Sequence, residues 1–138
     1  MLYIIINTIL LLLLIAASAR TIYGFIIGAP ILCSSKRAVL EALQYAQIKP
    51  EEKLYELGMG TGKILILAKK HFHIQPIGFE LSPFLYLIAK INLWIHGVNN
   101  AKLFMKNFYK ENLREADVIF CFLTPHAMDK LKPKFEQE

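Results

Sequence analysis

The chain has 138 residues, with 16 basic and 11 acidic side chains, a formal net charge of +5 and 55% hydrophobic residues. That length allows one domain, and the apolar content excludes a disordered, charge-driven tail. Cys33 and Cys121 have no metal or redox spacing, which excludes a disulfide framework and reads as free thiols in a reducing compartment. The basic residues form no stripe with interleaved aromatics, so nucleic acid is not an expected partner.

The apolar excess is local. Residues 2–19 are interrupted only by Asn7, Thr8 and Ser18, and Arg20 is the sole charge before Lys36. About 20 such residues cross a bilayer, so the run is expected to be a single transmembrane helix and the membrane an expected partner. Ala17-Ser18-Ala19 would suit signal-peptide cleavage, but no basic segment precedes the run. Arg20, Lys36 and Arg37 all follow it, which puts the remaining domain on the cytoplasmic side. A second apolar patch, Ile22 to Leu32, carries Gly24, Gly28 and Pro30 and reads as an interfacial continuation. The expected organisation is an anchor with its interfacial segment at 1–31 and a ligand-binding domain at 32–138.

Ser34 and Ser35 offer an N-cap for a helix over Lys36 to Gln47, with Val39, Leu40, Leu43 and Ala46 on one face. Lys53 to Leu57 reads as a strand carrying Glu56 near its tip. Gly58, Gly60 and Gly62 then allow a sharp turn and close approach of a ligand. Ile64, Leu65, Leu67 and Ala68 recur at helical spacing, and a second strand, Pro76 to Phe79, ends on Glu80. This is a βαβ unit with an acid at each strand tip, and parallel sheets bind ligands beyond such tips.

Glu80 follows Gly62 by 80 − 62 = 18 residues, close to the roughly 20 at which an acid accepts hydrogen bonds from a ribose diol. Glu56 beside the turn disfavours a pyrophosphate and suits a cationic amino-acid moiety. A phosphate-binding Walker loop needs four residues between its glycines and Ser or Thr after the lysine. Here three residues separate Gly58 from Gly62, and Ile64 follows Lys63. The expected ligand is therefore S-adenosylmethionine (SAM).

After Glu80, Ser82 caps and Pro83 opens a helix to about His96, with Gly97 as its stop. Leu85, Ile88, Ala89, Ile91 and Ile95 are expected to pack on the sheet, and Trp94 reads as core. Asn99-Asn100 turns into a third strand, Ala101 to Met105. Val118 to Leu123 is a continuous apolar run, as in a strand buried on both faces. Thr124-Pro125 then opens a helix from His126 to about Lys132. His71, His73 and His96 read as helix-end residues, not as metal ligands.

At Glu56, Gly58, Gly60 and Gly62 the chain resembles the class I SAM-dependent methyltransferases. A closer resemblance is to the small membrane-anchored protein-lysine methyltransferases, the group that includes the ATP synthase c-subunit lysine methyltransferase. It rests on Gly28-Ala29-Pro30, the turn from Glu56 to Gly62, Gly78-Phe79-Glu80-Leu81-Ser82-Pro83, and Phe122-Leu123-Thr124-Pro125. The resemblance implies a Rossmann-like α/β sheet, SAM as cofactor and transfer of a methyl group to a lysine amine of a protein at the membrane.

By the same resemblance, Glu56, Gly58, Gly60, Thr61, Gly62, Glu80, Leu81, Asn107 and Phe108 would bind the cofactor, with Phe84 beside the adenine. Thr124, Pro125 and His126 would lie at the transferred methyl. Thr61 and Asn107 stand where the family often has Asp. Related domains carry seven strands and four are recognisable here, so the sheet is expected to be carboxyl-terminally incomplete. A lipid or quinone acceptor, or a SAM-binding protein without activity, are the alternative functions.

Overall fold

The structure, a computed structural model, describes residues 1–27 and 35–138, and the side chains of residues 1–16, 18 and 35–138. The interfacial patch up to Leu32, the Gly28-Ala29-Pro30 segment, Cys33 and Ser34 lie wholly or partly outside the described residues.

Helix α1 spans Leu2–Ile27. Asn7, Thr8 and Ser18 donate to the carbonyls four residues before them, so these polar side chains are satisfied within the helix. The expectation of a membrane-spanning helix is corrected here, and with it the single-pass membrane localisation. Among the described residues no helix is long and apolar enough to cross a membrane. A span needs about 20 predominantly apolar residues, and Asn7, Thr8 and Ser18 interrupt the described side chains of α1.

The remaining elements alternate. They are α2 (Lys36–Tyr45), β1 (Lys53–Leu57), α3 (Lys63–Phe72), β2 (Gln75–Phe79), α4 (Pro83–Ile95), β3 (Lys102–Phe104), a single 3-10 turn (Phe108–Lys110), β4 (Val118–Cys121) and α5 (Pro125–Gln137). Local chemistry sets the helix starts. Ser35, Ser82 and Thr124 each accept a backbone N–H from inside the first turn, and Pro83 and Pro125 occupy first-turn positions where a missing N–H costs nothing. The α5 helix runs on through Pro133 to Gln137, beyond the expected end near Lys132.

The four strands form one parallel sheet in the order β3-β2-β1-β4. Leu57 of β1 stands opposite Phe79 of β2 and Cys121 of β4, so three strand tips end at one level. One face is covered by α2, α3 and α4, with Leu54, Leu65, Ile74 and Ala89 at its centre. The other holds Tyr55, Leu57, Ile77, Phe79, Phe108, Leu113 and Leu131.

Two sequence expectations about packing are corrected. The buried stripe of α4 is Leu85, Ala89 and Leu93, while Ile91, Ile95 and Trp94 face outward, Trp94 at 70% exposure. The helix packs against α3 at Gly62, where a Cβ would sit 2.4 Å from Leu93 Cδ1 and 3.3 Å from Ala89 Cβ. That contact turns the helix away from the face expected from sequence. Strand β4 is half-buried at all four positions rather than buried on both faces. It pairs only with β1 among the described strands, so its outer edge has no ladder partner.

Candidate cofactor and methyl-transfer site

The site is built on the turn between β1 and α3. Gly58, Gly60 and Gly62 all have positive φ, +79°, +55° and +76°. The turn is fastened to the tip of β2, because the N–H groups of Gly58 and Met59 both donate to the Phe79 carbonyl at 2.9 Å. Met59 is buried against Gly78, where a Cβ would come within 2.4 Å of its sulfur. A side chain at 78 would require Met59 and Leu65 to shift.

Glu80 ties two loops together. Its Oε2 accepts the Gly60 N–H at 3.0 Å and its Oε1 accepts the Ser82 N–H at 2.8 Å. Its own N–H donates to the Phe104 carbonyl of β3 at 3.0 Å. A carboxylate has about four lone-pair sites, so two remain for a ligand diol. Asn92 of α4 holds the turn from the other side, donating through Nδ2 to the Thr61 carbonyl at 3.0 Å.

Glu56 lies on the α3 side of β1, one residue before the strand ends, and is only 3% exposed. It accepts a backbone hydrogen bond from Leu65 in the first turn of α3, a helix that has no side-chain cap of its own at Gly62. Its other oxygen, Oε2, is buried without a partner. Burial pushes the Glu56 carboxyl well above the ordinary carboxylate range; the Leu65 N–H opposes that push and the nearby Glu80 charge adds to it. An orphaned buried carboxyl oxygen next to a glycine turn is costly unless a donor or cation reaches it. The donor set therefore fits SAM, which presents a ribose diol and an ammonium group.

The other expected site residues separate into those at the crevice and those elsewhere. Thr61 and Leu81 are exposed on the two loops beside Glu80. Asn107 turns inward on its own segment, its Oδ1 accepting the Tyr109 N–H at 3.1 Å to cap the 3-10 turn. Phe108 is 6% exposed and packs in the sheet's second core, its ring 4.5 Å from that of Tyr109. The ring at the tip of β3 is instead Phe104, stacked on Phe79 at 5.4 Å with Lys106 Nζ 5.7 Å above it.

Beyond β4 the chain returns to the same crevice. A Cβ at Gly58 would lie 3.6 Å from Leu123 Cδ2. Thr124 accepts the Ala127 N–H to cap α5, and Pro125 and His126 are exposed in its first turn. Sequence reasoning missed Met59, Asn92 and Phe104. Asn92 is, with Lys90, one of the few polar side chains on a mostly apolar helix, and that was the available signal. Two hollows, about 150 Å³ at Glu51, Gln75 and Lys102 and about 330 Å³ between α4 and β3, lie away from the strand tips. Neither is lined by Glu56 or Glu80, so the strand-tip crevice remains the candidate site.

The fold has a close solved counterpart, an RNA methyltransferase from Salinibacter ruber in complex with S-adenosyl-L-homocysteine. It is 27% identical, with a TM-score of 0.74 over 77% of this chain and 70% of that one. Sheet, turn and paired acids together define a SAM-dependent methyltransferase of Rossmann-like fold. The family model described as the ANTKMT methyltransferase domain matches residues 56–138, and the chain belongs to that family. Among curated proteins it is 29% identical to a protein-lysine N-methyltransferase of Saccharolobus islandicus, covering 83% of this chain and 73% of that protein. It is 32% identical to the human ATP synthase c-subunit lysine N-methyltransferase over 62% of this chain, spanning 36% of that protein's length.

Proposed function

We propose that this chain transfers the methyl group of SAM to the ε-amine of a lysine in a protein substrate. The observation that carries the reading is the clasp at Glu80, which bridges the Gly60 and Ser82 N–H groups and keeps lone pairs for a ribose. The lysine acceptor is supported by membership of the family and by the names of the two curated relatives.

SAM supplies a methyl group on a sulfonium, ready for in-line displacement. The chain's part is to bind, orient and exclude water. Glu80 fixes the nucleoside end, the glycine turn lets backbone approach, and Glu56 offers charge to the amino end. Leu123, Thr124, Pro125 and His126 form the acceptor side, where apolar surroundings favour loss of the lysine's proton by disfavouring the ammonium. His126 is exposed beside that face in the first turn of α5, where an imidazole is a candidate acceptor for that proton.

Incubating the chain with methyl-labelled SAM and a protein extract tests the assignment. Acid-stable label on lysine is the expected result. Label confined to the lipid extract would move the reading to a small-molecule acceptor, and no label with SAM bound would make the chain a binding protein without activity.

A further inference from the structure

The Glu56 carboxyl is poorly suited to carry a charge before any cofactor arrives. It is 3% exposed, one oxygen has no partner, and among the described residues the backbone donor that reaches it is the Leu65 N–H. The groups facing it do little to hold a negative charge. Gly78 stands opposite it on β2 and Phe120 on β4, neither charged. Beyond β2 lies Glu80, a like charge, and the α3 side offers the exposed Lys63 and the Leu65 amide. Two carboxylates close together in a dehydrated place do not both ionise without a nearby cation.

We propose that Glu56 is protonated in the free chain and releases its proton to solvent when the cationic amino end of SAM enters, so that cofactor capture is coupled to the loss of one proton. This rests on the SAM reading above and adds a linkage to it. The balance is simple: the carboxyl O–H bond breaks, the proton goes to the buffer, and the carboxylate left behind faces the incoming ammonium. Burial raises the Glu56 carboxyl in the right direction for this. The consequence is that affinity for SAM climbs with pH, by up to about tenfold per unit while the free carboxyl stays protonated.

Titration calorimetry of the full chain with SAM, in buffers of different ionisation heat at about pH 6.5, counts the protons directly, the cofactor's own ammonium being charged there. Close to one proton released per SAM bound is expected, and about none for Glu56→Gln, with weaker binding. SAM binding to the unaltered chain without proton release overturns the coupling and leaves the SAM reading intact. Unchanged proton release in Glu56→Gln assigns the proton elsewhere and also overturns it. No SAM binding at any pH removes both. Should Glu56→Gln fail to fold, the pH series on the unaltered chain decides alone: a flat dissociation constant overturns the proposal.

Discussion

The β1–β2 end of the crevice and the β4 end are held in different ways. At the first, backbone donors do the fastening: Gly58 and Met59 onto Phe79, Gly60 and Ser82 onto Glu80, and Glu80 onto Phe104. At the second, residues 122–126 follow the half-buried strand β4, with Phe122 52% exposed, the Thr124 hydroxyl capping α5 and the Leu123 side chain reaching toward Gly58. The contrast amounts to a division of labour. On the proposed function, a cofactor of fixed shape meets a cradle fastened by backbone donors, and the acceptor meets a more exposed surface.

The cradle is most severely disturbed at Gly62. Its left-handed backbone costs an L side chain about 1–2 kcal/mol, and the 2.4 Å approach to Leu93 adds overpacking of about 1–3 kcal/mol. Gly62→Ala is expected to lower unfolding stability by about 2–5 kcal/mol in chemical denaturation; a loss under 1 kcal/mol would mean that the α3–α4 contact relaxes freely.

Glu80→Ala comes next and separates binding from folding. Losing two charge-assisted hydrogen bonds to a ribose, each about 1.5–3 kcal/mol, should weaken SAM about 100-fold or more by calorimetry while circular dichroism stays native. Unchanged SAM affinity would remove Glu80 from its role.

Glu56→Gln probes the cradle through pH. The folded carboxyl sits above its ordinary value of 4.5, so the folded chain holds a proton that the unfolded chain releases. Stability is therefore full below about 4.5 and declines as pH rises toward the folded value, by at most about 1.4 kcal/mol per pH unit. The variant should lose this slope and unfold at higher temperature near neutral pH; identical pH profiles for the two proteins would contradict it.

The smallest effects belong to the β4 end. Thr124→Ala removes a helix cap worth about 1 kcal/mol, and His126→Ala, at an exposed position, should stay within about 0.5 kcal/mol of the parent. Both should slow methyl transfer while leaving the SAM dissociation constant unchanged. Lost SAM binding in either variant would erase the proposed distinction between the two ends.

Much of the cradle is legible in the sequence because its signals are local. Three glycines at every second position, an acid before them and an acid after the next strand are all read within one βαβ unit, and the helix starts at Ser82-Pro83 and Thr124-Pro125 are read within a few residues. What failed depended on partners far along the chain. Ile91 and Ile95 have the periodicity of a buried face, yet Leu93 is the residue that packs inward because Gly62, 31 positions earlier, leaves room for it. The resemblance assigns Phe108, beside Asn107, to the cofactor pocket, but it lies in a core completed by Leu113 and Leu131.

The order of residues was thus enough for the βαβ turn, the acids at successive strand tips and the helix starts, since each depends on backbone rules acting over a few residues. Long-range packing settled which side of α4 is buried, that β4 is an edge, and that the Glu56 carboxyl is sealed from water with one oxygen unpartnered. In those three places residues distant in the chain compete for the same space and the same solvent.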